Sequence, residues 1–313
     1  MDHRRTFAGG LIIAGAALIG AAAPVFAPEP TLRAERWLAP DQRLASLTTM
    51  PAVCFQPLTD GEAPRITIGS VAFRTPNLLG GQVARSGLSC ASCHSNGRRT
   101  AGFSLPGISG GAGTADVTSS ILSSHRGNGV FDPVPIPDLA LPGKVSHASG
   151  DPALRRFVRG LIVEEFDGAP PSEAVMLGLL AYLRTIAPCL PERVVPITLE
   201  THLADVDAGL AAARLALASG DIETTRLMLG GARSALGQID ERYAAPGLAS
   251  ERAGIVAADR ALGALQRQLD TAPDRAKAPL ARWTLPPKTV ALLRATQSTS
   301  FYDRAKLDAA IRR

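Results

Sequence analysis

Aromatic residues are scarce in this chain: Phe, Tyr and Trp make up 4% of its 313 residues. That is too few for the platforms on which proteins stack nucleobases. Charged residues are also thin, at 19%. With 46% hydrophobic residues beside them, a disordered polyelectrolyte is excluded. The net charge of +5 is diffuse, so no nucleic-acid partner is implied. No apolar stretch reaches the ~20 residues that span a bilayer as a helix. The run at residues 11–23 follows Arg4 and Arg5 and reads as the core of an export signal over residues 1–27. Val25-Phe26-Ala27 offers a small-residue cleavage site, and Ala22 another that avoids Pro28; an uncleaved N-terminal anchor is the alternative. The rest of the chain is expected in the periplasm, with no integral membrane span.

Beyond the signal the sequence has two regimes. Residues 28–150 are rich in Pro, Gly and Ser. Gly80-Gly81, Gly110-Gly111 and the alternating Pro133, Pro135 and Pro137 mark irregular backbone there. Only residues 65–73 look strand-like, through Ile66, Ile68 and Val71. Helical periodicity begins at Asp151, a good N-cap followed by Pro152. Leu154, Phe157, Val158, Leu161 and Ile162 form one stripe, with Gly168 as the stop. Ser172 opens a second helix that buries Met176, Leu179, Leu180 and Leu183 and ends before Pro188. After Pro196, narrow stripes of alternating 4 and 3 spacing run through Leu199–Leu217, Ile222–Tyr243 and Ile255–Leu269. Gly220-Asp221 and Pro246-Gly247 separate them, which predicts an antiparallel helical bundle.

Cysteine is rare too, and its placement is informative. Cys54 and Cys189 stand alone, whereas Cys90-Ala91-Ser92-Cys93-His94 is C-x-x-C-H. Both thiols of such a motif can add to haem vinyl groups, and the adjacent histidine then reaches the iron on the proximal face. A thioredoxin-like pair would call for a strand–helix α/β context, and a zinc site for a second ligand pair; neither is visible. One covalent haem c is therefore expected, with Cys90 and Cys93 as thioethers and His94 as proximal iron ligand.

Leu79-Gly80-Gly81 followed by Gly87-Leu88-Ser89-Cys90-Ala91-Ser92-Cys93-His94 resembles the first haem segment of the bacterial cytochrome c peroxidase and MauG-like family. Phe73-Arg74-Thr75-Pro76-Asn77-Leu78, read on into Leu79, resembles that family's threonine-proline-x-leucine element, here placed before the haem motif. The helix ending Ala181-Tyr182-Leu183-Arg184-Thr185-Ile186 is similar to the last helix of small c-type cytochrome domains. The resemblance covers roughly residues 70–187 and implies a mainly α fold. A cytochrome c-like haem domain with long irregular loops would occupy residues 28–195, followed by the helical bundle at 196–313. Family peroxidases carry two haem motifs and this chain has one, so a two-haem relay within the chain is excluded.

A six-coordinate iron would need a distal ligand. His125, among glycines that allow close approach to a porphyrin, ranks first. His147 ranks second and Met176, inside an apolar stripe, third. Met50 and Met228 are weaker candidates, and His202 reads as an exposed bundle histidine. Arg98, Arg99 and Arg126 are candidate partners of haem propionates, and Glu164-Glu165 reads as an exposed helix end. Cys54 and Cys189, left over in an oxidising compartment, are expected to form a disulfide enclosing the haem segment; two buried free thiols are the alternative.

Three functions fit these residues. An electron carrier, docking to an unidentified redox partner protein, needs only the haem. A peroxidase-like or MauG-like oxidoreductase needs an open distal site as well. A haem-bearing sensor or scaffold would use the bundle as its docking module.

Overall fold

The computed structural model describes residues 31–56, 61–141, 143–146, 148 and 150–312, so residues 1–27, expected to be an export signal, lie outside the described residues. The fold is mainly helical. In the first half α1 (Arg43–Thr48), α2 (Ala63–Arg74), α3 (Gly81–Ser86), α4 (Cys90–Cys93), α5 (Pro152–Gly160) and α6 (Glu173–Thr185) are joined by long loops. In the second, α7 (Leu199–Ala218), α8 (Ile222–Arg242), α9 (Ala249–Thr271), α10 (Pro273–Arg282), α11 (Pro287–Thr296) and α12 (Arg304–Ile311) follow one another closely. Strands are two or three residues long and pair only in twos. β1 (Thr49–Pro51) pairs with β8 (Val194–Pro196), and β2 (Cys54–Phe55) with β7 (Ile186–Ala187). β3 (His94–Ser95) pairs with β4 (Arg98–Arg99), and β5 (Thr114–Ala115) with β6 (Val134–Pro135).

The helix boundaries follow the capping chemistry. Asp151 accepts from the Ala153 N–H at 2.8 Å, Ser172 from Val175 at 3.3 Å and Asp221 from Thr224 at 2.9 Å. Each satisfies a donor that a helix start otherwise leaves free. α5 does not run unbroken toward Gly168: after Gly160 it widens into a π-helical turn, Leu161–Glu165. The bundle stripes are buried as their spacing requires, with Leu199, Val206, Leu210, Thr225, Leu229, Leu236 and Ile255 each at 1% exposure or less. The three-residue turn between α7 and α8 makes them antiparallel neighbours. Their backbones approach closely at Gly209, where a Cβ would stand 2.8 Å from the Ala232 nitrogen.

Residues 65–73 are helical, not a strand. Pro64 sits in the first turn of α2, where a missing N–H costs nothing. Ile66, Gly69 and Phe73 fall on one helical face and are buried. Tertiary packing overrides the β-branched preference of Ile66, Ile68 and Val71. The partner is α6. α2 and α6 cross so tightly that a Cβ on Gly69 would lie 2.0 Å from the Gly178 carbonyl oxygen. Phe73 and Tyr182, each four residues beyond its glycine, then pack with ring centroids 5.3 Å apart. The Cys54 and Cys189 sulfurs lie at disulfide distance, 2.02 Å, across 135 residues of chain.

Gly69→Ala is expected to destabilise the protein by at least about 1–3 kcal/mol through overpacking. Gly160→Ala, whose Cβ meets nothing within 4 Å, should be neutral or gain up to about 1 kcal/mol of helix propensity. Denaturant unfolding of the pair checks this. Removing the disulfide with Cys54→Ser and Cys189→Ser should cost roughly 4–5 kcal/mol for a loop of this length. A thiol label that reaches both cysteines in the denatured, unreduced protein would contradict the cross-link itself.

Candidate functional site

The C-x-x-C-H residues are presented by the shortest α-helix among the described residues. α4 spans only Cys90–Cys93, and its N-terminus is closed by the Ser89 N–H donating to Ser92 Oγ at 3.1 Å. Cysteines three apart on a helix share a face. His94 leaves the helix and enters a tight hairpin with β4. The turn is Asn96-Gly97, with φ of 49° and 77°, the left-handed pair that a two-residue hairpin requires. Gly97 has a second reason to be glycine, since a Cβ there would lie 2.5 Å from Ile186 Cδ1. Asn96 Nδ2 donates to the Pro51 carbonyl at 2.9 Å, tying the turn to β1.

His94 is oriented by a residue far along the chain. Its Nδ1 lies 3.0 Å from the Pro137 carbonyl oxygen. A carbonyl can only accept, so Nδ1 carries the proton and Nε2 keeps a free lone pair. The Phe73 ring lies 6.5 Å from the imidazole, centroid to centroid. Burial lowers the His94 pKa to about 4, against smaller upward effects of the Pro137 hydrogen bond and the Asp138 charge. Burial likewise pushes the Cys90 and Cys93 thiols up to about 12, with the Cys90 charge adding to the rise at Cys93. All three residues nevertheless keep part of their surface open. Thiols raised in this way do not match a reactive dithiol, whose pKa is lowered.

The donor set suits haem better than a bare ion. Among the described residues, no group of three or more His, Cys, Asp or Glu is placed to hold a metal. A porphyrin brings four nitrogen ligands of its own and asks the protein for one or two. Here one free imidazole nitrogen and two same-face thiols stand together. A cavity of about 230 Å³ lies beside α4, but Ala91 and Ser92 line it and the two cysteines and His94 do not. It separates α4 from Ser234, Gln238 and Arg242 of α8 and is distinct from the thiol–imidazole face.

The other sequence candidates are placed as follows. His125 is 64% exposed, with Nε2 3.7 Å from Asp167 Oδ1. His147 lies outside the described residues. Met176 is buried in α6, Met228 is buried in α8, and Met50 lies in β1 opposite Val195. Arg126 is held by Glu164 at 2.6 Å and by Glu165. Arg98 is held by Asp138 and Glu192, both at 2.6 Å. Arg99 is exposed. Two residues expected at the surface are buried. Glu165 is 4% exposed and paired with Arg126, and its Oε2 has no hydrogen-bond partner. His202 is 9% exposed, with Nδ1 2.6 Å from the Tyr302 hydroxyl. Pro137 and Asp138 were not singled out from sequence, since their roles depend on contacts across some forty residues. The Asn96-Gly97 turn was missed as well, although that dipeptide is a strong hairpin signal.

No family model, curated protein or solved structure matches the chain.

Burial, with help from the Arg242 charge, lowers the His202 pKa to about 3. The folded state therefore resists a proton that the unfolded chain accepts near pH 6.5. Stability tied to His202 is present above pH 6.5 and is lost as pH falls toward 3. His202→Gln should flatten this part of the profile. Urea midpoints at pH 7 and pH 4.5 give the measurement, and equal drops in the two proteins would contradict it.

Proposed function

We propose that the chain is a periplasmic monohaem c-type cytochrome that carries single electrons. The proposal includes the likeness of residues 70–187 to the cytochrome c peroxidase and MauG-like family. The observation that carries the reading is the set of Cys90, Cys93 and a His94 whose Nδ1–H is committed to Pro137, leaving Nε2 for an iron. A metal-ligating histidine characteristically donates its second nitrogen to a carbonyl, which fixes the ring and raises its basicity. When bound, the haem supplies a one-electron change at iron. Cys90 and Cys93 would fix the macrocycle by adding S–H across its two vinyl groups, and His94 would bind from the proximal side. Ile121, Val130, Phe131 and Leu141, exposed by 44–58% on the segment that delivers Pro137, are apolar surface of the kind a macrocycle covers. The Cys54–Cys189 bond suits an exported protein. No described helix is long and apolar enough to cross a membrane.

Production with the export and haem-attachment machinery tests this directly. The denatured protein should retain haem, and Cys90→Ala with Cys93→Ala should lose it. The oxidised spectrum should be low-spin and indifferent to peroxide, and the reduced spectrum should be unchanged by carbon monoxide. A high-spin haem that reacts with peroxide would favour the oxidoreductase alternative instead. His125, ranked first as distal ligand, is tested by His125→Ala: a changed spectrum supports that role and an unchanged one eliminates it.

A further inference from the structure

Resting on the monohaem reading, we infer that Arg98 is a positioning residue for the iron ligand: it holds the Pro137 carbonyl against His94. Arg98 was read from sequence as a propionate partner, but its guanidinium is committed elsewhere. Nε donates to Asp138 Oδ2 at 2.6 Å and Nη2 donates to Glu192 Oε1 at 2.6 Å. The inner pair is largely buried, with Arg98 at 13% and Asp138 at 17% side-chain exposure.

Asp138 directly follows the residue whose carbonyl orients His94. Its other oxygen, Oδ1, accepts from the Ala140 N–H at 3.0 Å. Next to it, the Leu139 N–H donates to the Gly97 carbonyl at 2.9 Å. The loop around Pro137 is thus fastened to the hairpin that begins at His94, and the fastening residues are the hairpin's own Gly97 and Arg98. Pro133, Pro135 and Pro137 have no N–H, which leaves this segment few other holds. Another is the short β5–β6 ladder, extended by Ile136 N–H to the Gly113 carbonyl at 3.0 Å. Glu192, three residues past Cys189, links the same guanidinium to the disulfide-bonded strap.

The consequence is electronic. The hydrogen bond from Nδ1–H to a carbonyl raises the electron donation of the imidazole, and this favours ferric iron. Releasing Pro137 should therefore raise the reduction potential. Deleting a nearby positive charge does the opposite, because the ferrous state loses a favourable interaction. The sign separates a positioning role from a propionate or simple charge role.

The test is the midpoint potential of the haem-loaded protein, with folding checked by circular dichroism. Arg98→Leu should shift the potential upward. Arg98→Lys keeps the charge but loses the two-pronged hold, and should also shift the potential upward. Solvent exchange of the His94 Nδ1 proton, followed by NMR, should quicken in both variants. A downward or unchanged potential in Arg98→Leu, or an unchanged one in Arg98→Lys if the leucine variant does not fold, overturns the inference and leaves the cytochrome reading intact. Failure of the unaltered protein to retain haem after denaturation overturns both.

Discussion

The close crossing of α2 and α6 at Gly69 and Gly178 is the contact on which the rest of the molecule depends. Two helices separated by the whole irregular half of the chain touch backbone to backbone, because neither residue has a Cβ to hold them apart. The crossing sets Phe73 against Tyr182 and leaves the Phe73 ring beside the His94 imidazole. It also brings the start and end of the first half together. The β2–β7 and β1–β8 pairs and the Cys54–Cys189 bond all join segments flanking these helices. A long loop-rich segment with little regular structure is thereby closed at its base. Without such a closure, its conformational entropy would oppose any fixed geometry at α4.

Within that closure, α4 contributes chemistry but little rigidity. A four-residue helix cannot hold itself, so the Cys-x-x-Cys-His geometry is borrowed from its surroundings. Asn96 and Gly97 lean on β1 and on Ile186, and Pro137 fixes the imidazole. Each support comes from a different part of the chain. This is why the chemistry was readable and its geometry was not. Cys90, Cys93 and His94 form a local pattern, as do the caps at Asp151, Ser172 and Asp221 and the apolar stripes of α7 to α9. Pro137, Asp138 and Glu192 matter only through contacts made in the fold.

The same distinction explains the misreadings. The β-branched residues of α2 suggested a strand because propensity is local, while its helical state is decided by packing on α6. Glu165 and His202 looked like surface residues from their neighbours in sequence. Arg126 pairs with the one, and Tyr302 meets the other. Arg98 and Arg126 each bridge two carboxylates that are distant in sequence, and in Arg98 that bridge spans the loop and the strap.

The bundle is better understood as the backing of the C-x-x-C-H half than as a module hung beside it. α2 packs against α6 on one side and against α7 and α8 on the other. A Cβ on Gly231 of α8 would lie 2.6 Å from Val71 Cγ1, so the bundle reaches the face of α2 opposite its crossing with α6. Polar ties follow the same seam. Arg33 pairs with Glu241, Arg74 with Asp205, and the buried Arg242 donates to the carbonyls of Leu47 and Phe301. Arg242 also lies over the Tyr302 ring, 5.3 Å from its centroid, which gives a buried cation a favourable surface. A module built to detach would not bury an arginine whose acceptors lie on both halves. The helix that anchors the thiol–imidazole site is therefore held from both sides, and the bundle's alternating apolar stripes serve that site by fixing α2.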